Sequence, residues 1–211
     1  ADFNQMAEKI EEKVLELSAA ARAKEDFTAN FAHELKTPLT SVIGYADMLY
    51  QRELPREQVK EAAGYILDEG MRLESLSLKL MDLFVMDKQD FSLEKFRTGG
   101  LFENIMPGIE PVCVRYGTGL YVDMEEEEIA VEFDLFKTMV LNIIDNSVKA
   151  ECSDIWVTGK KGQEYYEISF KDNGKGIPPE EIDRITEAFY MVDKSRSRKQ
   201  HGAGLGMALV A

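Results

Sequence analysis

A chain of 211 residues that is 45% hydrophobic carries enough apolar material for one large core or two smaller ones. Its formal net charge of −14 excludes a broad nucleic-acid-binding surface, and any polyanionic ligand must be met by local donors or a bound cation, for which magnesium is the natural candidate. Two cysteines, Cys113 and Cys152, do not make a secreted disulfide framework and favour a reducing compartment, and no apolar run is long enough for direct membrane insertion.

The first predicted element is a long helix. From Ile10, Val14, Leu17 and Ala21 to Phe31, Leu35, Val42, Tyr45 and Leu49, apolar residues recur at alternating steps of four and three, with Lys24, Thr28 and Pro38 at intervening positions. The stretch "RELPREQ" breaks it, and Pro55 suits the first turn of a new helix. Val59, Ala63, Ile66, Leu73, Leu80 and Phe84 define a second stripe. Two helices with one stripe each do not enclose a core, so the pattern predicts a hairpin that forms a homodimer, a four-helix bundle.

Within the first helix lies "FAHELKTPLT". The heptad frame puts His33 on the solvent side, two positions from Phe31 and from Leu35. Glu34 is placed to orient or deprotonate the imidazole, and Thr37 lies one turn on. Pro38 deprives the Glu34 carbonyl of its helical donor, so a kink is expected beside His33. An exposed histidine with no task is the competing reading of the same residues. The longer segment "FAHELKTPLTSVIGYADML" resembles the H-box of bacterial sensor histidine kinases, with the His-Glu-x-x-Thr-Pro core intact. The resemblance implies that His33 accepts a phosphoryl group and that Glu34 assists proton removal. It also implies that Thr37 helps to position a water that hydrolyses the phosphorylated response regulator.

After residue 90 the texture changes to the β-like runs "LYVDM", "IAVEF", "IWVTG" and "YYEISF", with one convincing helix, "DLFKTMVLNIIDNSVKA". This predicts an α+β domain with helices on one face of a sheet. The interior of "TGGLFENIMPGIEPVCVRYG" is doubtful as helix because of Pro107 and Pro111. On the predicted helix Asn142 and Asn146 are four apart and Lys149 three further on, so all three share a face. Amide oxygens can ligate magnesium without repelling a triphosphate, although asparagines in such a helix are also commonly satisfied by local hydrogen bonds. "DNGKGIP" follows a strand-like run, and as a bare pattern its Asp172, Gly174 and Gly176 suit a glycine-rich hairpin equally well. "HGAGLGMALV" places Gly202, Gly204, Leu205 and Gly206 before an apparent helix, a natural cradle for phosphate.

These segments resemble, in order, the N, G1 and G2 boxes of the same kinases, whose ATP-binding domain is an α+β sandwich of the GHKL, or Bergerat, type. The resemblance implies ATP and Mg2+ as cofactors, Asn146 as the metal ligand, Asn142 and Lys149 at phosphate, and Asp172 accepting from the adenine amino group. The basic stretch "MVDKSRSRKQ", with Lys194, Arg196, Arg198 and Lys199, reads as a lid over the nucleotide rather than a nucleic-acid patch. Departures occur at Thr186, Ala188 and Met191 before the lid, at Ser147, where alanine is usual, and at His201, where glycine is usual. "FNQMAEKIEE" resembles the end of a HAMP signalling helix, which implies the cytoplasmic portion of a bacterial cell-membrane receptor.

The expected organisation is therefore multidomain: a HAMP-like end over 1–12, an all-α dimerisation and phosphotransfer hairpin over 13–88, a linker over 89–98 and the ATP-binding domain over 99–211, truncated before its last helix and strands. The implied activity is autophosphorylation of His33 from ATP, transfer to an aspartate of a response regulator receiver domain, and regulator phosphatase activity. A clamp-type ATPase of the gyrase, Hsp90 and MutL group and a non-catalytic dimeric scaffold are the rival readings.

Overall fold

The computed structural model describes residues 2–86, 92–192 and 204–210. The chain divides into two compact units, Ala1–Leu78 and Lys79–Ala211.

The first unit consists of α1 (Asp2–Gln51) and the greater part of α2 (Arg56–Met86). Residues 2–12, expected as the end of a HAMP helix, continue α1 without a break, and α1 stays helical through Pro38. Phe31, Leu35, Val42, Tyr45 and Leu49 are half-buried, following the predicted seam, whereas Ile10, Val14 and Leu17 are exposed. On α2 the expected stripe is followed in part, with Ile66, Leu73 and Leu80 half-buried. Ala62, Arg72 and Leu76 are the buried residues, and Val59 and Ala63 are exposed. Tyr65 stacks on Tyr45 with ring centroids 4.7 Å apart, and Arg72 bonds Glu34, so the side of α2 turned to α1 lies one position round from the line of most apolar residues. A seam read from hydrophobicity alone marks where apolar groups gather, not which of them meets the neighbouring helix.

The second unit runs β1 (Glu94–Arg97), α3 (Thr98–Tyr116), β2 (Gly119–Met124), β3 (Glu128–Val131), α4 (Phe133–Lys149), β4 (Asp154–Lys161), β5 (Tyr166–Asp172) and a 3₁₀ turn, Pro179–Arg184. The sheet order is β2-β4-β5, with β2 parallel and β5 antiparallel to β4, and β1 pairs separately with β3. Residues 94–97 were expected in a linker; Phe96 instead faces Ile129 across the β1–β3 ladder and its ring packs 5.7 Å from that of Phe133.

Helix α3 also corrects the sequence reading, because it is continuous through Pro107 and Pro111. The prolines are exposed and lie four apart, so the ladder bonds they delete open to water on one side. The other side buries Leu101, Phe102, Ile105, Ile109 and Cys113, whose packing holds the helix in place. Gly117, at φ 68°, ends it in a left-handed cap, with the Thr118 N–H donating to the Cys113 carbonyl at 3.0 Å.

Helix α4 begins where the Glu132 carboxylate caps the Leu135 N–H at 2.6 Å. Its Phe136, Val140, Ile144 and Val148 recur every four residues and join the α3 line and Ile155 and Val157 of β4 in one core. Both helices cover one face of the sheet; on the other, Tyr121 and Trp156 stack at 5.9 Å. Cys113 and Cys152 are both free thiols within this core. Burial first and the neighbouring Cys152 second push Cys113 up from the usual thiol range.

Candidate active site

The register of β5 places Asp172 at its end, opposite Ile155 of β4, where the chain leaves the sheet beside the C-terminal turn of α4. One carboxylate oxygen accepts from the Gly174 N–H at 2.8 Å and the other from the Ser147 hydroxyl at 3.1 Å. The carboxylate is thereby fixed in orientation, and each oxygen keeps a further lone pair for a ligand. Ser147 was given no role by the sequence, yet it falls three residues after Ile144 on the buried face of α4, and a buried hydroxyl requires a partner. Beside it Cys152 is held up from the usual thiol range, by burial first and by the Asp172 charge second, and it stays protonated at neutral pH.

The glycines make room for close backbone contacts. A β-carbon on Gly174 would lie 2.9 Å from the Ala150 carbonyl oxygen, and Gly176 is left-handed at φ 69°. Asn173 fastens the same turn to β4, its side-chain oxygen accepting from the backbone N–H groups of Ser153 and Asp154 at 3.0 Å each.

Asn146, Lys149, Asp172, Gly176, Gly204 and Gly206 all line one cavity of about 760 Å³. Ile143, Phe170, Ile177 and Ile185 provide apolar lining, and Asp172, Asn146 and Lys149 supply polar groups. The amide nitrogen of Asn146 is buried without a hydrogen-bond partner. A buried amide end in that state fits a site that a ligand completes. Lys149 is ion-paired to Asp145, one turn back, at 2.6 Å, so an arriving anion would compete with that carboxylate. Asn142, expected at phosphate, is not among the residues that line the cavity: its amide donates to the Thr138 carbonyl at 2.9 Å, and a β-carbon on Gly206 would come within 3.1 Å of its oxygen.

Leu205 is fully buried and anchors the second glycine segment. The residues after it form turns through Val210 rather than the expected helix. Gly204, at φ 67°, accepts from the Phe189 N–H at 2.8 Å, and Phe189 is itself left-handed at φ 66°. A β-carbon at Gly204 would lie 2.7 Å from the Phe189 carbonyl carbon and the Tyr190 oxygen. Gly204→Ala should therefore cost about 1–2 kcal/mol in left-handed strain alone, with the clash in addition, and thermal unfolding should show a lowered Tm. Tyr190 donates to Glu181, and its ring lies 4.1 Å from the Arg184 guanidinium carbon. The expected lid residues Lys194, Arg196, Arg198 and Lys199, together with His201 and Gly202, lie outside the described residues.

His33, Glu34 and Thr37 lie in the other unit. His33 is exposed, as its heptad position dictates. Glu34 accepts from Arg72 of α2 at 3.1 Å. The Thr37 hydroxyl donates to the His33 carbonyl at 3.3 Å, Thr40 to that of Lys36 at 2.7 Å and Ser41 to that of Thr37 at 3.3 Å. Such bonds back along the helix surround the position where Pro38 removes a ladder donor. Among the described residues, no helix is long and apolar enough to cross a membrane, and no group of three or more His, Cys, Asp and Glu could hold a metal.

Residues 23–88 match the His Kinase A (phospho-acceptor) domain, and residues 132–211 match the histidine kinase-, DNA gyrase B- and HSP90-like ATPase family. The sensor histidine kinase YclK of Bacillus subtilis is 30% identical over 214 residues, covering 99% of this chain and 45% of that protein. The sensor protein SrrB of Staphylococcus aureus is 27% identical over 195 residues, covering 87% of this chain and 33% of that protein. The chain thus spans less than half the length of these curated relatives. The histidine kinase ThkA, solved in complex with the response regulator protein TrrA, has a similar fold: the TM-score is 0.67 at 19% identity, over 79% of this chain and 50% of that one.

Proposed function

The chain belongs to the two-component sensor histidine kinases, and on that premise we propose that it phosphorylates His33 from ATP bound in the cavity beside Asp172 and passes the phosphoryl group to an aspartate of a response regulator. The observation that carries this reading is the cavity itself, which brings together a fixed carboxylate and apolar side chains that suit a flat amine-bearing base with Asn146 and Lys149, which suit phosphate. The separate phospho-acceptor match distinguishes the chain from the clamp ATPases that share the second domain type.

In the proposed reaction a ring nitrogen of His33 attacks the γ-phosphorus in line, the bond from that phosphorus to the bridging oxygen breaks, and ADP carries away the electron pair. Glu34 accepts the imidazole proton. His33 and the cavity lie in different units, so the reaction requires the two to meet. Asn146, which lines the cavity and whose buried amide nitrogen has no partner, would hold Mg2+ on the nucleotide through its side-chain oxygen. The ion would neutralise developing charge on the phosphate oxygens. Lys149, released from Asp145, and the backbone about Gly204 and Gly206 would meet the remaining phosphate oxygens. Thr37 would position water for hydrolysis of the phosphorylated regulator.

Homodimerisation through the hairpin is supported by apolar residues left exposed along both helices: Leu39 and Ile43 on α1, and Leu67, Met71 and Leu78 on α2. The sensor names of the relatives suit a chain that receives a signal, and we read it as the cytoplasmic portion of a membrane receptor, with signals entering through the N-terminal run of α1. The test is incubation with Mg2+ and γ-labelled ATP. Acid-labile, base-stable label on the protein is the expected result, and steady ATP hydrolysis without protein labelling would overturn the reading.

A further inference from the structure

Arg72 is the one Lys or Arg in the buried class among the described residues, with 9% of its side chain exposed. A guanidinium does not shed its proton, so its burial must be matched by anions. Two carboxylates face it, and they are held differently. Glu34 on α1 accepts a hydrogen bond from one terminal nitrogen at 3.1 Å. Glu69, one turn back on α2, lies 3.9 Å from the other, and its Oε2 is buried without any hydrogen bond. The contact that Arg72 completes therefore spans the two helices.

The backbone of the same glutamate is also a weak point of the α1 ladder. Pro38 offers no N–H to the Glu34 carbonyl, so the helix ladder does not secure that peptide in the usual way. The side chain of the same residue is instead anchored from the neighbouring helix, immediately beside exposed His33. A carboxylate meant to take a proton from an imidazole must be held within hydrogen-bond reach of it, and small displacements of such a group are costly.

We propose that Arg72 is the positioning residue for the Glu34 carboxylate, holding it from α2 in the orientation that serves His33. The inference rests on the reading of Glu34 as the proton acceptor for His33. It makes the spacing of α1 and α2 at this level a determinant of the phosphorylation rate.

A double-mutant cycle tests it, using the initial rate of acid-labile labelling at saturating Mg-ATP, with helix content followed by circular dichroism. Glu34→Gln should slow labelling about 100-fold, within the range of general-base effects. Arg72→Met should slow it about tenfold without changing the KM for ATP, and in the Glu34→Gln background it should change the rate less than about twofold, because residues acting through one another are not additive. Arg72→Lys, which keeps the charge but not the planar fork, should restore part of the loss, and it carries the same cycle if Arg72→Met does not fold. An equal loss from the Arg72 change in both backgrounds would overturn the inference, since Arg72 would then act on stability or by another route. So would unchanged labelling in Arg72→Met and Arg72→Lys while Glu34→Gln is slow. Normal labelling in Glu34→Gln would instead remove the proton-acceptor reading of Glu34 beneath it.

Discussion

His33→Gln should abolish acid-labile labelling, with a loss of at least about 1,000-fold, since an amide offers no comparable nucleophile for the covalent step. The fold gives no route by which the substitution could act indirectly. His33 is exposed on α1, glutamine is a better helix former, and exposed substitutions away from caps and networks shift stability by roughly 0.5 kcal/mol or less. The cavity proposed to bind the nucleotide belongs to the other unit, so binding of a non-hydrolysable ATP analogue should be unchanged in the same variant. Lost label together with intact binding assigns the acceptor. Persistent acid-labile label would place it on another side chain and dissolve the role given to Glu34.

Part of the candidate site was legible in the sequence, through helical spacing on α4 and through the resemblance of its glycine segments to known motifs. Asn142, Asn146 and Lys149 share a helix face by spacing alone, although Asn142 does not line the cavity, and the β-like run "IWVTG" announced β4. What escaped was decided by contact across elements. Pro107 and Pro111 spoke against a helix locally, but their exposed positions let water take the freed carbonyls while the buried face of α3 held. Ser147 looked like a departure from a family pattern, yet it is a hydrogen-bond partner of Asp172, a residue 25 positions away. Arg72 stood unremarked in "DEGMRLES", because nothing local to α2 announces that Glu34, 38 residues earlier, faces it. Patterns reveal faces, whereas pairings between faces require the fold.

Asp172→Asn should weaken ATP binding roughly 10- to 100-fold, the scale of a hydrogen bond to a charged acceptor. It should weaken GTP binding much less, so that the preference for ATP narrows. The argument follows from the fixed geometry. Gly174 N–H donates to one oxygen and so favours keeping an oxygen there, which turns the new amide nitrogen toward Ser147, whose hydroxyl can reverse and accept from it. The fold is then satisfied, but the group beside the apolar slot has become a donor. An adenine amino group meets donor against donor, whereas the guanine carbonyl at the same ring position finds a partner it lacked. Titration of both nucleotides against both proteins, followed by calorimetry, measures the ratio directly. A parallel loss of both affinities with the ratio unchanged would mean that Asp172 supports the turn at Gly174 and does not read the base.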